Sequence, residues 1–562
     1  MPQLPSLRFP AFAVPRFAAL VQGAAALVWV PQAALLAWTI EQMRAGASWR
    51  AALAPAAAIL LLGVVRALAE AWGVRTVYAA ARSHLSQLRA LAAAALARRS
   101  PLDRERARSG QAASALAEQA EAVVPYLVRF QPARWKGVLA PLAIIAAVAP
   151  LSWVAALILL VAAPLIPVFM ALVGMGAQAA SRAQMVEMGG MNAFLLDRLR
   201  GLATLRALSA VDASADRLQA SAQSLRRRTM AVLRIAFLSS AVLELFSALG
   251  VAMMAVYIGF SLLGKLDFGA WGNQLTLGQG LFILLLAPAF FEPLRELAAV
   301  WHDKAAGEAG LAGLQALAAP GVMVVGGTAM ADADVSGTPP DIAISQLHFA
   351  HAGEHPVFDD FSLHVRAGEH VALLGPSGAG KSTLLALLAG LLPATGGAIH
   401  IGGVALGEAS AAALRQRMAW MGQRPHVFAA PVAHNITLGR EGQSATADAV
   451  AVTQALRQAG LADVAQAGAQ VVLGDGGHGL SGGEAARLAL ARAAYWPQAD
   501  LLLVDEPTAH LDSETAARVT DALLALAEGK TMLVATHDRV LAARLQRRVY
   551  LGMEMGETRK SA

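Results

Sequence analysis

Apolar residues crowd together at six places in the chain, roughly 17–40, 51–73, 133–150, 152–174, 236–262 and 275–297. Each run is near the ~20 residues that cross a bilayer as a helix. The third and fourth runs are parted only by "APLSW", too short for anything but a tight hairpin turn. After about residue 341 the pattern changes. Short β-like runs such as "DIAISQLHF" and "EHVALLG" alternate with helical stretches, the signature of an α/β domain with a parallel sheet. The stretch between, "AAPGVMVVGGTAMADADVSGTPPD", is rich in Gly, Pro and small residues, as linkers are. The pattern predicts a six-span helical membrane domain over 1–317, a linker over 318–341 and an α/β domain over 342–562.

Composition sharpens this picture. The 562 residues are 56% hydrophobic and only 15% charged, against about a quarter charged in soluble proteins. The formal charge of +6 is not spread evenly. Arg82, Arg89, Arg98, Arg99, Arg104, Arg106 and Arg108 lie between spans two and three. Arg182, Arg198, Arg200, Arg206, Arg217 and Arg226 to Arg228 lie between spans four and five. The opposite loops hold only Arg44, Arg50 and Lys265. Such asymmetry is positive-inside topology rather than nucleic-acid binding, and it places both termini in the cytoplasm. The two arginine-bearing loops are long and rich in Ala and Leu, so they read as helices continuing out of the membrane. No removable signal peptide is expected at the N-terminus. The chain has no cysteine, which excludes disulfides, zinc–thiolate sites and iron–sulfur clusters held by this chain.

Chemistry concentrates after residue 370. "VALLGPSGAGKSTLLALLAG" is a strand, a glycine-rich loop and a helix, and it matches G-x-x-x-x-G-K-[ST] from Gly375 to Ser382. Gly375, Ser377, Gly378 and Gly380 let backbone N–H groups close around phosphate oxygens. Lys381 reaches the β- and γ-phosphates, Ser382 serves Mg²⁺, and Thr383 follows at the helix N-terminus. "LLLVDEPT" ends an apolar strand in Asp505, suited to Mg²⁺, and Glu506, suited to polarising an attacking water. Between them "LSGGE", Leu480, Ser481, Gly482, Gly483 and Glu484, opens a helix.

In this order and spacing the three motifs resemble the ATP-binding cassette (ABC) ATPases, and six spans before them extend the resemblance to half of an ABC exporter. The resemblance implies further roles. Gln423 in "MGQRPHVF" matches the glutamine that senses Mg²⁺, and His537 in "VATHD" the switch histidine near the γ-phosphate. "AHLD", Ala509 to Asp512, matches the D-loop. Ser481 and Gly483 touch the γ-phosphate held by an opposite cassette. The family's adenine-stacking tyrosine is replaced here by His351, two residues after Phe349, and the signature ends in Glu484 where glutamine is commoner. ATP and Mg²⁺ are the implied ligands. One cassette per chain implies a dimer.

The spans carry a few charges: Arg66 and Glu70 in the second, Glu244 in the fifth, Glu292 and Arg295 in the sixth. Intramembrane charges pair locally or line a cavity. The first reading pairs Arg66 with Glu70 and Glu292 with Arg295, leaving Glu244 to snorkel. The second makes Arg66, Glu244, Glu292 and Arg295 the lining of a cargo cavity. His84 is read as a solvated helix histidine, with a cavity or haem contact as the alternative.

The stretches "RRRTMAVLRIAFLSSAVLELFSALGVAMMAVYIGFSLLG" and "LTLGQGLFILLLAPAFFEPLRELAAVWHDKA" resemble the CydD-type half-transporters of the CydDC exporter family. That likeness implies a heterodimer with a CydC-type chain in the bacterial inner membrane, among lipid and away from nucleic acid. It also implies export of cysteine and glutathione to the periplasm, in support of cytochrome bd assembly. Haem transport is the competing view within the family. A lipid or drug exporter, or a cassette ATPase acting on nucleic acid or ribosomes, are the readings outside it.

Overall fold

The structure, a computed structural model, describes residues 16–107, 109–164, 201–266, 274–327, 338–439, 445–463, 471–474, 480–496 and 498–552, together with position 10, 268–271 and scattered positions between 168 and 199. These divide into two compact units. One comprises Pro5–Ala93 and Ala107–Ala319, the other chiefly Ala94–Arg106 and Pro320–Ala562.

The first unit is helical. Its described helices are α1 (Arg16–Leu27), α2 (Trp29–Arg44), α3 (Leu53–Arg98), α4 (Ser109–Ala117), α5 (Gln131–Val148), α6 (Trp153–Pro164), α7 (Leu202–Ala207), α8 (Val211–Leu262), α9 (Leu277–Ala299) and α10 (Trp301–Leu317). Among the described residues four stretches are long and apolar enough to cross a membrane: Leu20–Arg44, Trp49–Arg98, Ala241–Leu262 and Leu277–Leu317. α5 and the shorter α6 form the expected hairpin. Most of the fourth run beyond residue 164 lies outside the described residues, as do Arg108, Arg182 and Arg200. The helix count is roughly compatible with six spans.

Two helices are far longer than a bilayer requires. α3 has 46 residues and α8 has 52. At about 1.5 Å per residue each reaches roughly 70 Å, about twice the hydrocarbon thickness. They therefore continue beyond the membrane, as the arginine-bearing loops predicted. At the hairpin, buried Ser152 donates to the Gly269 carbonyl at 2.7 Å and lies 2.9 Å from the Tyr257 hydroxyl. Phe290, Phe291, Ile283 and Leu286 of α9 are fully buried against Met254 of α8 and Leu159 of α6, so α9 is the packing centre of the unit. By contrast α3 turns Leu60, Leu61, Val64, Val65 and Leu68 outward, as an apolar span facing lipid or another chain would.

The second unit holds two sheets. β1 (Ile342–Ala350), β2 (Pro356–Val365), β4 (Gly396–Ile401) and β5 (Val404–Ala405) form an antiparallel sheet in the order β2-β1-β4-β5. β3 (His370–Leu374), β6 (Met418–Met421), β7 (Leu501–Asp505), β8 (Thr531–Ala535) and β9 (Arg547–Tyr550) form a parallel sheet in the order β6-β7-β8-β3-β9. The alternating pattern predicted only the parallel sheet. The antiparallel one arises because five residues join β1 to β2, and a parallel crossover needs a dozen or more. β7 and β8 are buried along their whole length, which their near-continuous apolar sequences require of central strands.

The segment around 322–325 is built into this unit. Ser100 N–H donates to the Val322 carbonyl at 2.8 Å, and Val324 N–H to the Arg98 carbonyl at 2.9 Å. Arg99 and Asp103, each 6% exposed, pair at 2.5 Å, and Asp103 also accepts from Val322 N–H at 3.1 Å. Arg415 holds the carbonyls of Val325 at 2.6 Å and Gly327 at 2.8 Å.

Candidate functional site

The glycine-rich loop joins β3 to α11 (Lys381–Leu388). Gly375 (φ +153°) lies so close to the next strand's exit that a Cβ would come within 2.5 Å of the Leu551 carbonyl oxygen. Gly380 (φ +91°) is the left-handed cap of α11, packed on Val357 and Phe358. Only glycine fits both places. Leu384, Leu385 and Leu388 anchor α11 in the core between the two sheets. The loop is thus held from both sides, with Ser377 and Gly378 exposed at its tip and Thr383 the third residue of the helix.

Lys381 is buried, and its ammonium donates to the carbonyls of Gly375 (2.9 Å) and Pro376 (3.2 Å). It also lies 2.9 Å from His537 Nε2, so Nε2 is the acceptor nitrogen of that ring. His537 sits just past β8 and Glu506 just past β7, the neighbouring strand. Their side chains approach at 3.5 Å, and Glu506 also accepts from the His537 backbone N–H at 3.1 Å. Glu506 has φ +49°, an uncommon conformation for a residue with a side chain, and its own N–H is tied to the Ala535 carbonyl at 2.8 Å. Strand ends thereby bring Lys381, Glu506 and His537 into one cluster.

Asp505 completes the cluster from below. Burial raises its pKa, with the Ser382 hydroxyl and the Lys381 charge pulling it back. Its Oδ1 is buried without a hydrogen-bond partner. An orphaned carboxylate oxygen beside a hydroxyl is a donor set that fits a hard cation such as Mg²⁺. Gln423 stands two residues past Met421, which pairs with Val504, and so reaches the same end of the sheet. Among the described residues no three His, Cys, Asp or Glu side chains gather as a resident metal site.

The signature lies apart from this cluster, at the start of α15 (Gly482–Tyr495), preceded in chain order by α12 (Ala411–Gln416), α13 (Val432–Thr437) and α14 (Ala445–Gln458). Ser481 caps α15 and Glu484 closes a reciprocal capping box: Glu484 N–H donates to Ser481 Oγ at 3.3 Å, and Ser481 N–H to Glu484 Oε2 at 2.7 Å. The Ser481 hydroxyl donates to the same carboxylate at 2.8 Å. These bonds hold the Glu484 carboxyl below the usual glutamate range. Glu484 is thus a cap, which a glutamine could also be. Leu480 packs on the neighbouring core, and Gly483 abuts Thr515 too closely for a Cβ. Ser481 and Gly482 are exposed at the start of α15, whereas Gly483 is buried against Thr515.

His351 follows β1 and is half-buried, its ring edge-on to Phe349 with centroids 5.0 Å apart. Asp512 caps α16 (Ser513–Ala527), accepting from Thr515 N–H at 2.9 Å.

In the membrane unit, Arg295 bridges two carboxylates. It binds Glu244 of α8 at 3.0 Å and Glu292 one turn away on its own helix. Arg66 pairs with Glu70 at 3.2 Å. Glu244 is therefore held by Arg295 rather than left to snorkel alone. A cavity of about 440 Å³ opens between α1/α2, α3, α5 and α9. Arg66 and Glu292 line it, whereas Glu244 and Arg295 do not. It also takes in Lys136 and Glu296, which the sequence reading missed. The signal in the sequence was weak: Lys136 lies five residues into α5 and three into its apolar run, near the boundary of the span.

Comparison with known proteins matches both units. The ABC transporter family pattern covers residues 358–509, and the ABC transporter transmembrane region covers 17–294. The glutathione/L-cysteine transport system ATP-binding/permease protein CydD of Escherichia coli (strain K12) is 38% identical, over 76% of this chain and 72% of that protein. The corresponding CydC protein of Bacillus subtilis (strain 168) is 32% identical, over 73% and 70%. The fold matches that of a bacterial Atm1-family ABC exporter with ATP bound, with TM-score 0.73, 22% identity and coverage of 95% of this chain and 92% of the other.

Proposed function

Since this chain belongs to the ABC transporter family, as an exporter with a transmembrane and an ATP-binding domain, we propose that it is one half of a heterodimeric exporter of cysteine and glutathione. It works in the bacterial inner membrane, its cassette in the cytoplasm, and delivers thiols outward in support of cytochrome bd assembly. The membrane domain is 1–317, the linker 318–341 and the ATP-binding domain 342–562. Its partner is a CydC-type chain. The observation that carries this reading is the 38% identity to a protein named for glutathione and L-cysteine transport, sustained over three-quarters of the chain.

ATP hydrolysis coupled to transport follows from the family. The nucleotide phosphates take the glycine-rich loop, where Lys381 exchanges its two carbonyl partners for phosphate oxygens. His351 offers its ring to adenine, held edge-on by the buried Phe349. Mg²⁺, held by Ser382, Asp505 and Gln423, supplies charge neutralisation at the β- and γ-phosphates. Glu506 accepts a proton from the attacking water, and His537 orients it and contacts the γ-phosphate. Ser481 and Gly483 close on the nucleotide of the opposite cassette, which is why one chain is incomplete alone.

The experiment is ATP-dependent accumulation of radiolabelled cysteine or glutathione in inverted membrane vesicles from cells producing this chain with its partner. Uptake that requires ATP and vanishes with Lys381→Ala supports the reading. Vesicles that hydrolyse ATP but accumulate neither thiol would refute the cargo assignment.

A further inference from the structure

The membrane cavity contains five charged side chains, and they are not equally satisfied. Arg66 and Glu70 neutralise each other, and Glu292 is held by Arg295. Lys136 and Glu296 face the same cavity from α5 and α9, and neither makes an ion pair or side-chain hydrogen bond among the described residues, with each other or with any other group. Lys136 is half-buried. Glu296 is exposed, and both groups lie near the ends of their helices, so an ammonium and a carboxylate stand unpaired on the wall of one cavity, free to meet a ligand. The cavity's 440 Å³ lies in the range of small-molecule sites. Trp29 supplies an apolar wall beside the charges.

Charge arithmetic narrows the ligand. The Arg66–Glu70 pair is neutral. Arg295 with two carboxylates leaves one negative charge, and Glu292 of that group lines the cavity. Lys136 adds one positive charge and Glu296 one negative. The lining therefore favours a ligand with its own ammonium and disfavours one bearing only carboxylates.

We propose that Lys136 and Glu296 read the two ends of a zwitterionic α-amino-acid head group, Lys136 binding the carboxylate and Glu296 the ammonium. This deepens the export reading above and rests on it. It separates a thiol amino acid or γ-glutamyl peptide, which carries both groups, from a ligand carrying only carboxylates.

The test is ATPase stimulation of the full complex, in vesicles of defined lipid, by four thiols: L-cysteine, cysteamine (no carboxylate), N-acetyl-L-cysteine (no ammonium) and 3-mercaptopropionate (neither an ammonium nor an amide). Wild type responds to cysteine at a concentration about tenfold or more below the other three, the value of one charge-assisted hydrogen bond. Lys136→Gln abolishes the advantage of cysteine over cysteamine but keeps that over N-acetylcysteine. Glu296→Gln does the reverse. Lys136→Arg, which keeps the charge, retains both advantages and controls for folding. Wild type that answers to none of the four removes the export reading itself. Wild type that prefers cysteine while both variants keep both preferences overturns this inference alone. Stimulation that appears only when phosphatidylserine is in the vesicle, with no response to added cysteine, assigns the pair to a lipid head group and also overturns it.

Discussion

The nucleotide site and the membrane cavity are built in opposite ways. In the cassette, functional groups come from short contiguous stretches: a loop between β3 and α11, and the residues just past β7 and β8. Backbone groups do much of the work, so spacing along the chain fixes spacing in space. In the membrane unit, the charged side chains that line the cavity come from three separate helices, α3, α5 and α9. Arg66, Lys136 and Glu296 are separated by 70 and 160 residues, and none belongs to a local motif. Only packing of α3, α5 and α9 assembles them. A site held by backbone can be recognised before the fold is known, whereas one held by single side chains on packed helices cannot.

The largest expected effect tests the backbone-built half. Glu506→Gln should lower ATP turnover of the assembled complex by about 10²–10⁴-fold, the usual contribution of a positioned base, while nucleotide binding persists. Radiometric ATPase and binding assays decide it, and near-normal turnover would remove Glu506 from that role.

A second test concerns the join within the cassette unit. Asp103→Ala leaves Arg99 buried without a partner, and breaking a buried pair costs about 3 kcal/mol or more. Thermal unfolding of the full chain in detergent should show the loss. Burial alone would raise the Asp103 pKa, but hydrogen bonds from Arg99 and from the Glu105 and Val322 backbone, with the Arg99 charge, hold it below the ordinary aspartate value. The folded value lies below the unfolded one. Its stabilisation is therefore complete above the ordinary aspartate pKa and lost as pH falls through the depressed value. Asp103→Asn should flatten that acid limb, and an unchanged pH profile would contradict the assignment.

The smaller effects probe where the two halves differ in tolerance. Glu244→Gln removes one of two carboxylates on Arg295, and Glu292 remains. Cargo-stimulated ATPase should change by no more than about threefold, within the ~1 kcal/mol of a partly exposed pair. A tenfold loss would place Glu244 in the cargo path. Glu484→Gln should be smaller still, because glutamine also closes a capping box. Melting temperature and turnover both report on it, and a collapse of activity would mean that the carboxylate itself is required.

Much of the chain was legible early because apolar runs and the P-loop obey local rules. The order of strand, glycine loop and helix around Gly375, and the buried strand ending in Asp505, are stated by the sequence outright. The antiparallel sheet was not, since the alternation of β1 is the same in either kind of sheet and only the short connection to β2 decides. Nor was the pairing of 322–324 with Arg98–Ser100, because small residues look like a linker whether free or docked. Lys136 escaped notice for a related reason: one lysine near a span boundary resembles an interfacial anchor, and only the shared cavity distinguishes it.

Thiol export is tested most sharply by the ATPase activity of the complex with its partner half in nanodiscs, titrated separately with reduced glutathione and with haem. Saturable stimulation by glutathione, with haem silent, is the predicted result. Stimulation by haem alone would contradict it and would make the cavity charges a propionate site instead.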